Sequence, residues 1–143
     1  MSLDGAYDRD NVFAKILRGE LPAFKVFEDE HALALMDLFP QARGHVLVVP
    51  KAPARTLLDV EPEALQALIV RVRRVARAVR TALEPDGISV MQFNGAAGGQ
   101  TVFHLHFHVI PRFEGEALKG HGQSGMADKE ELAELARRIG AAM

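Results

Sequence analysis

Between residues 62 and 83, apolar side chains return every three or four positions, at Leu65, Leu68, Ile69, Val72, Val75, Ala76, Val79 and Leu83. That interval lines one face of an α-helix. Pro62 suits a first helical turn, and Pro85-Asp86-Gly87 stops the pattern. A second helical stretch is predicted over residues 128–142, capped by Asp128. A short one runs from a cap at Asp10 to about residue 18, with Val12, Phe13, Ile16 and Leu17 as its apolar stripe and Gly19 as its end. Elsewhere the runs are short and β-like: residues 23–28, 32–37, 46–49 and 88–93, then a stretch through Ile110. Residues 119–125, with His121 among them, read as a mobile connection. Strands in succession, with helices at the ends and in one long crossover, predict an α+β fold with an antiparallel sheet.

Composition narrows the function classes. At 143 residues the chain reads as a single domain, 1–143, with 48% hydrophobic and 25% charged residues. The net charge of −2 argues against a protein that coats nucleic acid, and Arg71, Arg73, Arg74, Arg77 and Arg80 read as the wet face of the long helix. No run approaches the roughly 20 apolar residues of a membrane span, so no membrane partner is expected. With no cysteine there is neither a disulfide framework nor a thiolate metal site, and a cytoplasmic location is expected.

The chemistry lies in residues 104–108, His-Leu-His-Phe-His. Side chains alternate along an extended strand, so His104, His106 and His108 share one face while Phe103, Leu105, Phe107 and Val109 share the other. Folding does not call for such a row of imidazoles. A metal site is one alternative, but residues four apart on a strand lie about 13 Å apart. One ion could therefore use at most two of the row, with His45 as the remote donor. Direct imidazole chemistry is the other reading. A neutral imidazole is a good nucleophile near neutral pH, and phosphorus attached to it is readily discharged to water.

Just upstream lies Asn94-Gly95-Ala96-Ala97-Gly98-Gly99-Gln100-Thr101. Its glycines leave backbone amides uncovered, as an approaching phosphate requires, and Gln100 and Thr101 add polar groups. It is not a P-loop, because Gln100 stands where that motif needs lysine.

Taken together, residues 104–110 (His-Leu-His-Phe-His-Val-Ile) resemble the signature of the histidine triad superfamily, in its nucleotide-binding (Hint-like) branch. Residues 11–22, 37–41, 44–51 and 94–101 agree with it in order, so the likeness covers about residues 9–113 and leaves a C-terminal extension, 113–143. The resemblance implies a five-stranded antiparallel sheet with a long crossover helix, dimerising into a ten-stranded sheet. It implies His106 as the nucleophile that takes up a nucleoside monophosphate. His104 and His45 would tune and orient the site, and His108 would contact the phosphate or leaving group. Thr101, with Gln100 before it, would stand near the leaving group, Gly99 would help to bind the nucleotide, Asn94 would line the site, and Asp37 would bind the ribose. Phe13, Ile16, Leu35 and Leu38 would enclose the base, although by themselves these four read as ordinary core.

Bacterial relatives often carry paired cysteines and a zinc site. Here Asn11, Ala14, Ala52 and Pro53 occupy the corresponding stretches, so neither metal nor other cofactor is expected. The nucleotidyltransferase branch has glutamine where this chain has His106, which favours hydrolysis. The expected activity is cleavage of purine nucleoside phosphoramidates or related nucleotidyl conjugates through a nucleotidyl-histidine. The alternatives are a dinucleoside polyphosphate hydrolase and a non-catalytic nucleotide-binding module. The expected partners are a purine nucleotide and a second copy of the chain. His31 and His121 are expected to be solvent-exposed and uninvolved.

Overall fold

The structure, a computed structural model, describes residues 2–120 and 125–143. Five strands form one antiparallel sheet: β1 (Lys25–Glu28), β2 (Ala32–Met36), β3 (Val46–Pro50), β4 (Gly87–Met91) and β5 (Phe107–Arg112). Their spatial order is β1-β2-β3-β5-β4, which leaves β1 and β4 at the edges. Among the described residues, three α-helices accompany the sheet: α1 (Val12–Leu17), α2 (Pro62–Leu83) and α3 (Lys129–Ala141). The α+β expectation and the five-stranded sheet hold.

Every residue of β2 and β3 is buried. Alternation sends Ala32, Ala34, Met36, Val46 and Val48 to one face, where α2 and α3 pack, joined by Leu105, Phe107 and Val109. Leu33, Leu35, Leu47 and Val49 go to the other, where the six-residue α1 covers them with Phe13 and Ile16, helped by Ala23 and Val102 from flanking segments. The C-terminal extension belongs to the main core through Leu132, Leu135, Ala136 and Ile139. At Gly140, an added Cβ would lie 2.7 Å from the Val26 carbonyl oxygen, so only glycine lets α3 approach β1 so closely.

The long helix occupies the predicted residues, with Pro62 in its first turn and Glu84 closing it in a left-handed conformation. Its buried face is Leu68, Val72, Val75, Ala78 and Val79. Ile69, expected on that face, is 46% exposed, because it lies one residue (about 100°) round from Leu68. Arg73, Arg74, Arg77 and Arg80 are exposed, whereas Arg71 reaches Asp29 in the β1–β2 turn at 2.7 Å.

Two other expectations need correction. Asn11, not Asp10, caps α1: it is extended, and its Oδ1 accepts the Ala14 N–H. The histidine row is not wholly on a strand either. Pairing of β5 with β3 starts at Phe107 opposite Val48, and ahead of it the Leu105 N–H donates to the Ala54 carbonyl. His104 and His106 therefore sit on a connection held by residues 52–56. Phe103 is only half-buried, stacked under the Arg55 guanidinium at 4.6 Å.

His31 is exposed, and His121 lies outside the described residues. Among the described residues, no helix is long and apolar enough to cross a membrane.

Candidate active site

Four imidazoles gather at the less-covered face of the sheet. His104 and His45 are wholly buried, while His106 and His108 are 7% and 4% exposed. The His106 and His108 ring centres lie 5.0 Å apart, and those of His45 and His108 5.1 Å.

Hydrogen bonding assigns each ring a tautomer, because a carbonyl only accepts and a backbone amide only donates. His104 Nε2 lies 2.8 Å from the Pro50 carbonyl oxygen, so the proton is on Nε2. Its bare Nδ1 accepts from the Tyr7 hydroxyl at 2.6 Å. Burial pushes the His104 pKa below the usual histidine value, and the Pro50 carbonyl only partly offsets this, so the ring is neutral. His106 Nδ1 lies 2.7 Å from the carbonyl oxygen of His104, which places its proton on Nδ1 and the lone pair on Nε2. On the other side, the Gln41 N–H donates to His45 Nδ1 at 3.1 Å. His45 Nε2–H then points at His108 Nδ1, 2.9 Å away, with Asp37 Oδ2 at 3.5 Å. His108 is left with its proton on Nε2. The cluster thus presents the Nε2 lone pair of His106 and the Nε2–H of His108 toward the same space.

Two cavities meet at these rings. One, of about 190 Å³, is mainly apolar and is walled by Phe13, Ile16, Leu35, Leu38 and Leu47, with Asp37, Thr101, His106 and His108 at its polar side. The other, of about 130 Å³, is walled by Gln41, Phe93, Gly99, Thr101, His106 and His108. His106, His108 and Thr101 are shared by both. A larger cavity of about 290 Å³ between the β2–β3 connection and α3 touches none of the histidines.

Most of the residues singled out from the sequence come together here, but two take other positions. Gln100 is 3% exposed and turns inward, accepting the Gly95 N–H and donating to the Arg55 and Val102 carbonyls. Asn94 accepts the Leu57 N–H at 2.8 Å and exchanges hydrogen bonds with Gln92, away from both cavities. Both hold the glycine loop in shape. Several loop amides are already engaged: those of Gly98, Gly99 and Gln100 donate to carbonyls of Gly95 and Ala96. Gly99, at φ 104°, makes that turn, and its Cα faces Phe93. Sequence reading did not single out Tyr7, Leu47, Phe93 or Val102. Gln41 lay within a motif segment but carried no assigned role.

Among the described residues, those that could hold a metal are Asp37, His45 and His108, each offering one atom within 4.8 Å of the others. Yet the His45 and His108 nitrogens that face each other are only 2.9 Å apart. Two nitrogens on one tetrahedral zinc would stand about 3.3 Å apart. In this arrangement those two nitrogens are hydrogen-bonded to each other, and His106 is not part of the group.

Comparison with known proteins agrees with this geometry. The family model described as HIT domain matches residues 18–115. A Hit-like protein from Bartonella henselae, whose crystal structure contains an unknown ligand, superposes with a TM-score of 0.92 at 49% identity, covering 97% of this chain and 100% of that one. A hypothetical histidine triad nucleotide-binding protein from Sulfolobus tokodaii gives 0.83 at 31% identity, covering 91% and 89%. The adenylylsulfatase HINT3 of Arabidopsis thaliana is 36% identical over 135 residues, 90% of this chain and 68% of that protein. With its triad, sheet and cavities arranged in this way, the chain belongs to the HIT domain family.

Proposed function

We propose that this protein hydrolyses purine nucleoside phosphoramidates, or related nucleotidyl conjugates, through a nucleotide bound covalently to His106. The observation that carries the reading is the 2.7 Å bond from His106 Nδ1–H to the His104 carbonyl, which leaves Nε2 as a lone pair in the wall shared by both cavities. The apolar cavity suits a base, with the Asp37 carboxylate at its rim for ribose hydroxyls. The α-phosphate then lies at His106, and the leaving group faces the smaller cavity beside Thr101 and Gln41.

In the first step His106 Nε2 forms a bond to phosphorus while the P–N bond to the leaving amine breaks. The amine nitrogen keeps the bonding pair and takes a proton from water, and the hydroxide so formed is neutralised by the proton released in the second step. The imidazole becomes cationic as it attacks, which strengthens its Nδ1–H bond to the His104 carbonyl at the moment of reaction. His108 Nε2–H donates to a non-bridging phosphate oxygen, a role that His45 supports by holding His108 in that tautomer. In the second step a water oxygen bonds to phosphorus, the P–Nε2 bond breaks, and its pair returns to His106. The water's proton leaves with solvent, and a nucleoside monophosphate is released. Neither step needs a metal.

The β4 edge, with Val90 48% exposed, supports pairing with a second copy into a ten-stranded sheet. Light scattering on the purified protein tests that assembly. For the reaction, kcat/KM toward adenosine 5′-phosphoramidate, adenylyl sulfate and a diadenosine polyphosphate ranks the leaving groups. The expected order places the phosphoramidate first. Preference for the diadenosine compound would move the assignment to dinucleoside polyphosphate hydrolysis, and binding without turnover would reduce it to a nucleotide-binding module.

A further inference from the structure

The triad is tied to a part of the chain far from it in sequence. Tyr7, the only tyrosine, lies before α1 and 97 residues from His104. Its hydroxyl is 2.6 Å from His104 Nδ1, and its ring meets the imidazole edge-on at 5.6 Å. The N-terminal segment that carries it is fastened down by Arg55, whose Nη1 donates to the Ser2 and Leu3 carbonyls at 2.9 Å each. The Arg55 guanidinium also stacks on Phe103, next to the triad.

We infer that Tyr7 is a positioning residue for the His106 nucleophile, acting through His104. The His104 ring has two nitrogens, and each is engaged: Nε2–H donates to Pro50, and Nδ1 accepts from Tyr7. A ring held at both ends fixes the rotation of its own residue, and with it the direction of the His104 carbonyl. That carbonyl is the acceptor that keeps the His106 proton on Nδ1. Take away the hydroxyl, and a buried Nδ1 loses its donor. Anchored then at Nε2 alone, the ring gains by swinging about its Pro50 bond toward another donor, and that swing shifts the carbonyl on which the His106 tautomer depends. Phe13 packs edge-on against both His104 and His106, at 6.2 and 4.9 Å, but supplies no hydrogen bond that could replace the phenol.

This inference rests on the proposed reaction only for its kinetic consequence; the tautomers belong to the free protein. Tyr7→Phe keeps the ring and removes only the hydroxyl. The expected result with adenosine 5′-phosphoramidate is a drop in kcat of about tenfold, the effect of one lost hydrogen bond, with KM changed by less than about twofold. Nitrogen-15 NMR of histidine-labelled protein gives the direct readout. In the wild type, His104 should show a protonated Nε2 and a hydrogen-bonded, unprotonated Nδ1, with His106 the opposite. In Tyr7→Phe the His106 signals should move toward a mixture of tautomers while the His45–His108 pair stays unchanged. Wild-type His104 protonated on Nδ1 would overturn the inference, as would a Tyr7→Phe protein with an unaltered His106 tautomer and full kcat. If the wild type turned over none of the conjugates, the proposed function would fail, and the NMR comparison would still decide the role of Tyr7. If Tyr7→Phe failed to fold, the wild-type His104 tautomer would decide it.

Discussion

The two faces of β2 and β3 are equally apolar and equally buried, yet they do different work. On one face the strands meet α2 and α3, 22 and 13 residues long, and the space is filled by Leu68, Val75, Leu132 and Ile139. On the other they meet the six residues of α1, too short to cover the sheet, and a cavity of about 190 Å³ remains beside the imidazoles. Burial alone does not tell stability from function here. Covering length and position do: the long amphipathic helices fill most of one face and leave their cavity at its end, beside the β2–β3 connection and away from the histidines, whereas the short α1 leaves room for a ligand against the imidazoles themselves. The polar groups on the open face are tolerated because backbone carbonyls and neighbouring rings satisfy them.

Substitutions on the two faces should therefore separate activity from stability. The largest effect is expected on the open face. His106→Ala should lower kcat by about a thousandfold or more while leaving nucleotide binding and the thermal midpoint nearly unchanged, as kinetics and calorimetry would show. A large loss of stability instead would make His106 a structural residue. On the closed face, Leu68→Ala removes a fully buried side chain and should cost about 2–5 kcal/mol in urea unfolding, with kcat per folded molecule retained. A fall in kcat would mean that the two faces are coupled. Smaller effects are expected at the cavity wall and rim, where Phe13→Ala and Asp37→Ala should each raise KM about tenfold and change kcat less. Equal losses of kcat would instead place these residues at the reacting phosphorus.

The smallest effect concerns pH. His104 has a lower pKa folded than unfolded, so the unfolded chain binds more protons near and below its ordinary value of about 6.5. The contribution is complete above that value and is lost as pH falls through the folded pKa. The thermal midpoint should drop between about pH 7.5 and pH 5.5, and His104→Gln, which keeps a donor for Pro50, should flatten that slope. An unchanged slope would show that other groups set it.

Legibility in the sequence followed the same division. Helices α2 and α3 could be read almost to the residue, because each carries a long apolar stripe with a proline or aspartate at its start. Ile69 was misplaced because a stripe gives the direction of a face but not its width. The histidine row was legible as chemistry from its alternation. Its backbone was not, because the end of the β3–β5 ladder at Phe107 depends on a partner strand and on the Ala54 carbonyl. Gln100 and Asn94 were visible as polar residues near a glycine loop. Whether their amides face a ligand or the loop itself depends on where residues 55–57 lie, which no local pattern reveals. Tyr7 carried no local signal at all, since only the tertiary fold brings it to His104.

The central claim is that His106 Nε2 becomes bonded to phosphorus. The most direct measurement is rapid acid-free quenching during turnover of adenosine 5′-phosphoramidate, followed by mass spectrometry of the peptide that carries residues 104–108. An adenylyl adduct localised to His106 is expected, formed and consumed at rates that match kcat and absent from His106→Ala. Full turnover with no adduct at any time, or an adduct on another residue, would contradict the claim.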